Sequence, residues 1–137
     1  MKKMDKTRIL IIDDDAGLRK TLADILRVTG YETFVAGNGV EGLTLLKENP
    51  VNVALIDLGL PDVSGIDLLS RIKAERPATE TIILTGNATL DSAIEATNRG
   101  AFSYLQKPYD IDQLLLRIER ALEKQLAGEQ IALKRTQ

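Results

Sequence analysis

Five short apolar runs alternate strictly with five amphipathic segments along the chain, and that order leaves few architectures open. The runs RILII (8–12), YETFVA (31–36), VNVALI (51–56), TIILT (81–85) and AFSYLQ (101–106) have strand length and strand composition. Between and after them, the segments near 16–29, 38–48, 65–75, 89–98 and 110 onward repeat apolar residues at three- and four-residue spacing. Leu18, Leu22, Ile25 and Leu26 form one such stripe; Ile66, Leu69 and Ile72 form another. Gly30, Pro50, Pro77 and Gly100 punctuate the predicted helix ends. Strict βα alternation predicts an α/β fold, a parallel sheet with helices on both faces.

Central strands of such a sheet are covered on both sides and read as continuous apolar runs. ILII, VALI and IIL meet that condition, whereas YETFVA and AFSYLQ are mixed and belong at the edges. With right-handed crossovers the strand order 2-1-3-4-5 follows: a (βα)5 doubly wound five-stranded parallel sheet of the flavodoxin-like class. Ligands in such sheets sit beyond the carboxyl ends of the strands, at the switch between strands 1 and 3. Strand 1 ends in Asp13 and Asp14, strand 3 in Asp57, strand 4 in Thr85, and strand 5 in Gln106 and Lys107. Three carboxylates, a hydroxyl and an ammonium are thus expected on one rim.

The acid run Asp13, Asp14 and Asp15 poses a charge problem, because each carboxylate makes its neighbours harder to ionise. Asp15 is the natural N-cap of the first helix. The other two call for a cation, a proton or water. The chain of 137 residues contains no Cys and no His, which excludes thiol nucleophiles, disulfides, thiolate or imidazole metal sites and a His general base. Any bound metal is then a hard cation on oxygen ligands, and Mg²⁺ suits Asp14 and Asp57 as direct ligands with Asp13 acting through water. A net charge of -2 gives no basis for direct nucleic-acid binding. Neither a leader nor a membrane-length apolar run is apparent, so the expected setting is cytoplasmic. No Gly-rich loop follows strand 1, which disfavours a mononucleotide or flavin site. Asp57 follows a central strand and enters the loop DLGLPDVSG, making it the candidate phosphoryl acceptor, with Lys107 facing a carboxylate or a phosphoryl group.

ILIIDDD, ALIDLGLPDVSGIDLL, TIILTGNA and AFSYLQKPYDIDQLL, in that order between about Arg8 and Leu122, resemble the receiver domain of two-component response regulators. The resemblance implies that Asp57 is the phosphoacceptor, that Asp13 and Asp14 are the acidic pair binding Mg²⁺, and that the Gly59 backbone carbonyl is a further metal ligand. It implies that Thr85 is the switch hydroxyl, that Gly86 leaves room for the phosphoryl group, and that Lys107 pairs with a phosphoryl oxygen beside a cis bond to Pro108. Tyr104 matches the aromatic residue that turns inward as Thr85 moves. Gly59 and Asn87 occupy the positions that flank the path of the hydrolytic water.

On this reading residues 1–7 are an N-terminal extension, 8–124 the receiver domain and 125–137 a C-terminal helical extension or linker. Ile118, Leu122, Leu126 and Leu133 form a stripe weakened by Gly128, suited to a connector to an output domain or to a dimerisation helix. The implied function is to take a phosphoryl group from the phosphohistidine of a sensor histidine kinase or histidine phosphotransfer protein onto Asp57. The product switches a surface at helix 4, strand 5 and helix 5, open to an output domain or a second copy. Two rivals are an Mg²⁺-dependent Asp-nucleophile phosphohydrolase and a phosphorylation-independent interaction module. The first typically places a second Asp two residues after its nucleophile, where this chain has Gly59.

Overall fold

The computed structural model describes residues 6–136, with side chains described through residue 129. Five strands, β1 (Arg8–Ile12), β2 (Glu32–Ala36), β3 (Val53–Asp57), β4 (Glu80–Thr85) and β5 (Ser103–Gln106), alternate with five helices. These are α1 (Ala16–Thr29), α2 (Gly39–Glu48), α3 (Gly65–Glu75), α4 (Leu90–Asn98) and α5 (Ile111–Thr136). The sheet is parallel in the order β2-β1-β3-β4-β5, as the apolar pattern of the strands predicts. No helix among the described residues is long and apolar enough to cross a membrane.

The period-2 geometry of strands divides the core in two. Ile9 and Ile11 of β1 face one side with Leu22 and Leu26 of α1 and Leu114 and Ile118 of α5. Leu10 and Ile12 face the other, against Leu46 of α2 and Leu68, Leu69 and Ile72 of α3. Each of these side chains is at most 2% exposed, and each such burial is worth roughly 1.5–3 kcal/mol. A one-residue slip would exchange the two faces, so the register Ile9↔Val53 and Ile12↔Ile56 is strongly specified.

Helix entries follow the side chains available. Asp15, Asn38, Ser64 and Thr89 each accept a hydrogen bond from the backbone N–H three residues on. Gly30, at φ 114, closes α1 in a left-handed cap that other residues adopt only with strain. The third and fifth strands start two residues later than their apolar runs. Asn52 spends its side chain on the Arg8 N–H and on Gln125, and the Ala101 N–H donates to Ala96 O in closing α4. α5 continues past residue 124 without a break. Gln125 ties it to the sheet, donating to Asn52 O (3.1 Å) and Ala78 O (2.6 Å). Leu133 of the C-terminal stripe lies outside the described side chains, and residues 1–5 of the expected N-terminal extension lie outside the described residues.

Candidate functional site

Parallel strands deliver their last residues to one rim, so the geometry of the site follows from where each strand stops. Ligand oxygens of Asp13, Asp14 and Asp57 lie within 4.8 Å of one another. Asp13 is buried, and both of its carboxylate oxygens are engaged: Oδ1 accepts the Asp15 N–H (2.9 Å) and Oδ2 accepts Lys107 Nζ (2.6 Å). Asp14 is exposed. The Asp57 side chain is 12% exposed; its Oδ1 stands 3.8 Å from Lys107 Nζ and accepts the Gly59 N–H at 3.4 Å. Lys107 therefore bridges Asp13 and Asp57, with the shorter contact to Asp13.

Burial pushes the Asp57 carboxyl above its ordinary pKa, and the charges of Asp13 and Asp14 add to that push, while Lys107 and the Gly59 N–H oppose it. Repulsion among the acids is thus a contributing cause and desolvation the main one. Three oxygen donors converging at this distance, with no nitrogen or sulfur ligand among them, fit a hard divalent cation.

The remaining sequence-predicted residues take up the following places. Thr85, at the end of β4, is buried; its Oγ1 accepts the Asn87 N–H at 3.2 Å and its carbonyl accepts the Lys107 N–H. A Cβ on Gly86 would meet nothing within 4 Å, and one on Gly59 would stand 4.0 Å from Asp57 Oδ2. The Lys107–Pro108 bond is cis. Tyr104, on β5, packs half-buried against the α2–α3 core face, and its hydroxyl lies 2.6 Å from Ser92 Oγ. Ser92 also completes the capping box of α4 with Thr89, so Tyr104 is joined directly to the start of that helix.

Three contacts of the site residues or of the elements that carry them escape a reading of strand ends. Arg19, one turn into α1, donates to the Asp13 carbonyl at 2.6 Å. Ser92 could have been singled out by its capping-box spacing from Thr89. Asp62 carries no local signal of its partners, the Gly39 and Val40 N–H groups of α2.

The sequence pattern of the response regulator receiver domain matches residues 9–119. The chain is 36% identical over 124 residues to the regulatory protein AtoC of Escherichia coli K12, covering 90% of this chain and 27% of that protein. It thus spans about a quarter of the length of the curated relatives it matches. A CheY-like response regulator receiver domain protein from Methanospirillum hungatei superposes with a TM-score of 0.88 at 35% identity, covering 90% of this chain and 99% of that one. A response regulator protein from Burkholderia pseudomallei, solved with a phosphorylated aspartic acid, a calcium ion and citrate, gives 0.80 at 29% identity, covering 92% and 74%.

Proposed function

Because the chain belongs to the response regulator receiver domain family, we propose that Asp57 is its phosphoacceptor and that Thr85 and Tyr104 carry the state of Asp57 to α4. The observation behind this reading is the meeting of Asp13, Asp14, Asp57 and Lys107 at the carboxyl end of the sheet. The phosphorylated aspartic acid and calcium ion of the Burkholderia pseudomallei structure support it by analogy. The donor is the phosphohistidine of a sensor histidine kinase or histidine phosphotransfer protein. An Asp57 oxygen forms the new P–O bond, the P–N bond breaks, and the leaving imidazole takes a proton from solvent.

Mg²⁺ supplies charge neutralisation for the transferring group when bound. Asp14 and Asp57 would hold it together with the Gly59 carbonyl, while Asp13, with both oxygens already engaged, would act through water. Lys107 reaches a phosphoryl oxygen from its place 3.8 Å from Asp57 Oδ1. Asp57 labelling provides the test. Incubation with Mg²⁺ and acetyl phosphate adds one phosphoryl mass, mapped to the peptide containing Asp57; stable label on another peptide overturns the assignment.

The switch runs from the Thr85 hydroxyl to Tyr104 and, through its contact with Ser92, to α4. Tyr104 is half-buried here, so completing its burial is worth a part of the roughly 1.5–3 kcal/mol of a full aromatic burial, on the scale of a typical allosteric coupling of about 1–3 kcal/mol. Exposed Leu90 and Ile94 on α4 and Leu116 on α5 offer apolar contacts to whatever reads the switch, an output domain or a second copy. Thr85→Ala leaves Asp57 phosphorylatable and removes the amide shifts that beryllofluoride induces between Ala88 and Tyr104. Wild-type shifts in that variant would exclude Thr85 from the path.

A further inference from the structure

Helix α2 begins with an unusual division of labour. Its own N-cap, Asn38, accepts the Glu41 N–H through its side chain (2.9 Å) and the Gly42 N–H through its carbonyl (3.1 Å). The first two N–H groups of the helix are satisfied from another part of the chain. Asp62 takes both, Oδ1 from Gly39 at 2.8 Å and Oδ2 from Val40 at 3.0 Å, across 23 and 22 residues of sequence. A carboxylate suits that place, because the helix dipole and the free N–H groups of a first turn both favour negative charge. Among the described residues no ion pair involves Asp62. The Gly39 and Val40 N–H groups hold its carboxyl below the ordinary value, helped by its own N–H and that of Val63.

Asp62 stands in the β3–α3 loop, the segment that leaves Asp57 and carries Gly59. The far end of that loop is pinned separately. The Gly65 N–H donates to Leu58 O at 3.1 Å, and a Cβ on Gly65 would stand 2.5 Å from Leu58 Cα and 2.7 Å from the Asp57 carbonyl. At the Asp62 end a Cβ on Gly39 would run into the Val63 side chain, so loop and helix pack without space between them. Leu58, Leu60 and Val63 rest on the core face formed by α2 and α3, and Pro61 fixes φ beside the clamp. Gly59 lies between Leu58, held by the Gly65 N–H, and Asp62, held by α2.

We infer that Asp62 is a positioning residue for the metal site: by clamping the β3–α3 loop to the first turn of α2, it fixes the backbone at Gly59 relative to Asp57. The inference rests on the proposed reading of these residues as a Mg²⁺ site. Groups that orient metal ligands typically change affinity about 10- to 100-fold when removed. Loss of the clamp frees one end of the loop and leaves the Gly65 pin in place, so the lower end of that range applies.

The test is titration with Mg²⁺ alone, followed by amide NMR, together with melting temperatures, on wild type, Asp62→Ala, Asp62→Asn and Asn38→Ala. Asp62→Ala is expected to weaken Mg²⁺ binding about tenfold. Asp62→Asn keeps one acceptor oxygen and recovers part of that loss. Asn38→Ala removes a cap from the same helix without touching the loop, so it lowers the melting temperature and leaves Mg²⁺ affinity at the wild-type value. Wild-type affinity in Asp62→Ala, or equal losses in Asp62→Ala and Asn38→Ala, overturns the positioning role and reduces Asp62 to a helix cap. Should Asp62→Ala not fold, Asp62→Asn against Asn38→Ala decides by the same criterion. A wild-type chain that binds no Mg²⁺ overturns the metal reading and this inference together; normal wild-type binding with an unaffected Asp62→Ala overturns only the inference.

Discussion

On the proposed reading of Asp57, Asp57→Asn is expected to raise the melting temperature of the metal-free protein, abolish phosphoryl labelling and remove most of the stabilisation by Mg²⁺. The first effect follows from the electrostatics of the site. Burial raises the Asp57 pKa above its ordinary value of 3.8, and Asp13 and Asp14 reinforce the shift. A carboxyl with a raised folded-state pKa contributes stability that is fully present below the unfolded value and lost as pH rises through the folded one. The ionised, partly buried carboxylate is therefore the destabilising form, and its cost is felt once the pH has risen past the folded-state value. The amide of Asn keeps the shape and an acceptor for the Gly59 N–H while carrying no charge to desolvate. Lys107 is not stranded by the change, because its closer contact is with Asp13 at 2.6 Å.

The expected rise is read on the scale of about 4 °C for each 1 kcal/mol in a domain of this size. It shrinks on acidification, as the wild-type carboxyl also takes up its proton. Mg²⁺ stabilises whichever form binds it, by linkage, so if Asp57 is a ligand as proposed, its loss should flatten the response of the variant. Thermal melts from pH 4 to 7 with and without millimolar Mg²⁺ measure both effects. An unchanged Mg²⁺ response would remove Asp57 from the metal site, and a gap that widens in acid would reverse the electrostatic account.

Lys107→Ala is expected to have the largest effect on stability. The Asp13 side chain is 6% exposed and Lys107 20%, so the pair is shielded from the solvent screening that weakens surface ion pairs. Removing one partner of a buried pair leaves an uncompensated charge and typically costs about 3–5 kcal/mol. Here it also withdraws the ammonium that opposes the raised Asp57 pKa. A loss near 3 kcal/mol in urea unfolding is therefore expected without metal. Lys107→Met, which keeps most of the aliphatic stem, separates packing from charge and should lose nearly as much. If these carboxylates bind Mg²⁺ as proposed, millimolar Mg²⁺ restores positive charge to them and should narrow the gap to wild type. A loss below about 1 kcal/mol would class the pair with surface ion pairs, and a gap that Mg²⁺ leaves untouched would separate Lys107 from the metal site.

The sheet was legible in the sequence because its determinants are periodic and local. Apolar runs mark strands, three- and four-residue spacing marks helices, and the contrast between ILII and YETFVA separates centre from edge. Once the order 2-1-3-4-5 is in hand, the convergence of Asp13, Asp14, Asp57, Thr85 and Lys107 follows from topology, since parallel strands end on one rim. Asp15 was legible as a cap for the same local reason.

What the chain alone did not disclose are contacts between side chains and distant backbone. Arg19 on the Asp13 carbonyl, Asp62 on the start of α2, and Gln125 on Asn52 and Ala78 have no periodic signature, and each depends on how helices seat on the sheet. The balance of charge at Asp57 was likewise closed to sequence reasoning. Three nearby acids suggest repulsion, yet burial is the larger cause, and depth of burial is a property of the packed rim. Sequence determined which residues reach the site, because secondary-structure periodicity and strand order are written locally. Tertiary structure decided how those residues are held and charged, because desolvation and clamping arise only when loops close over the ends of the strands.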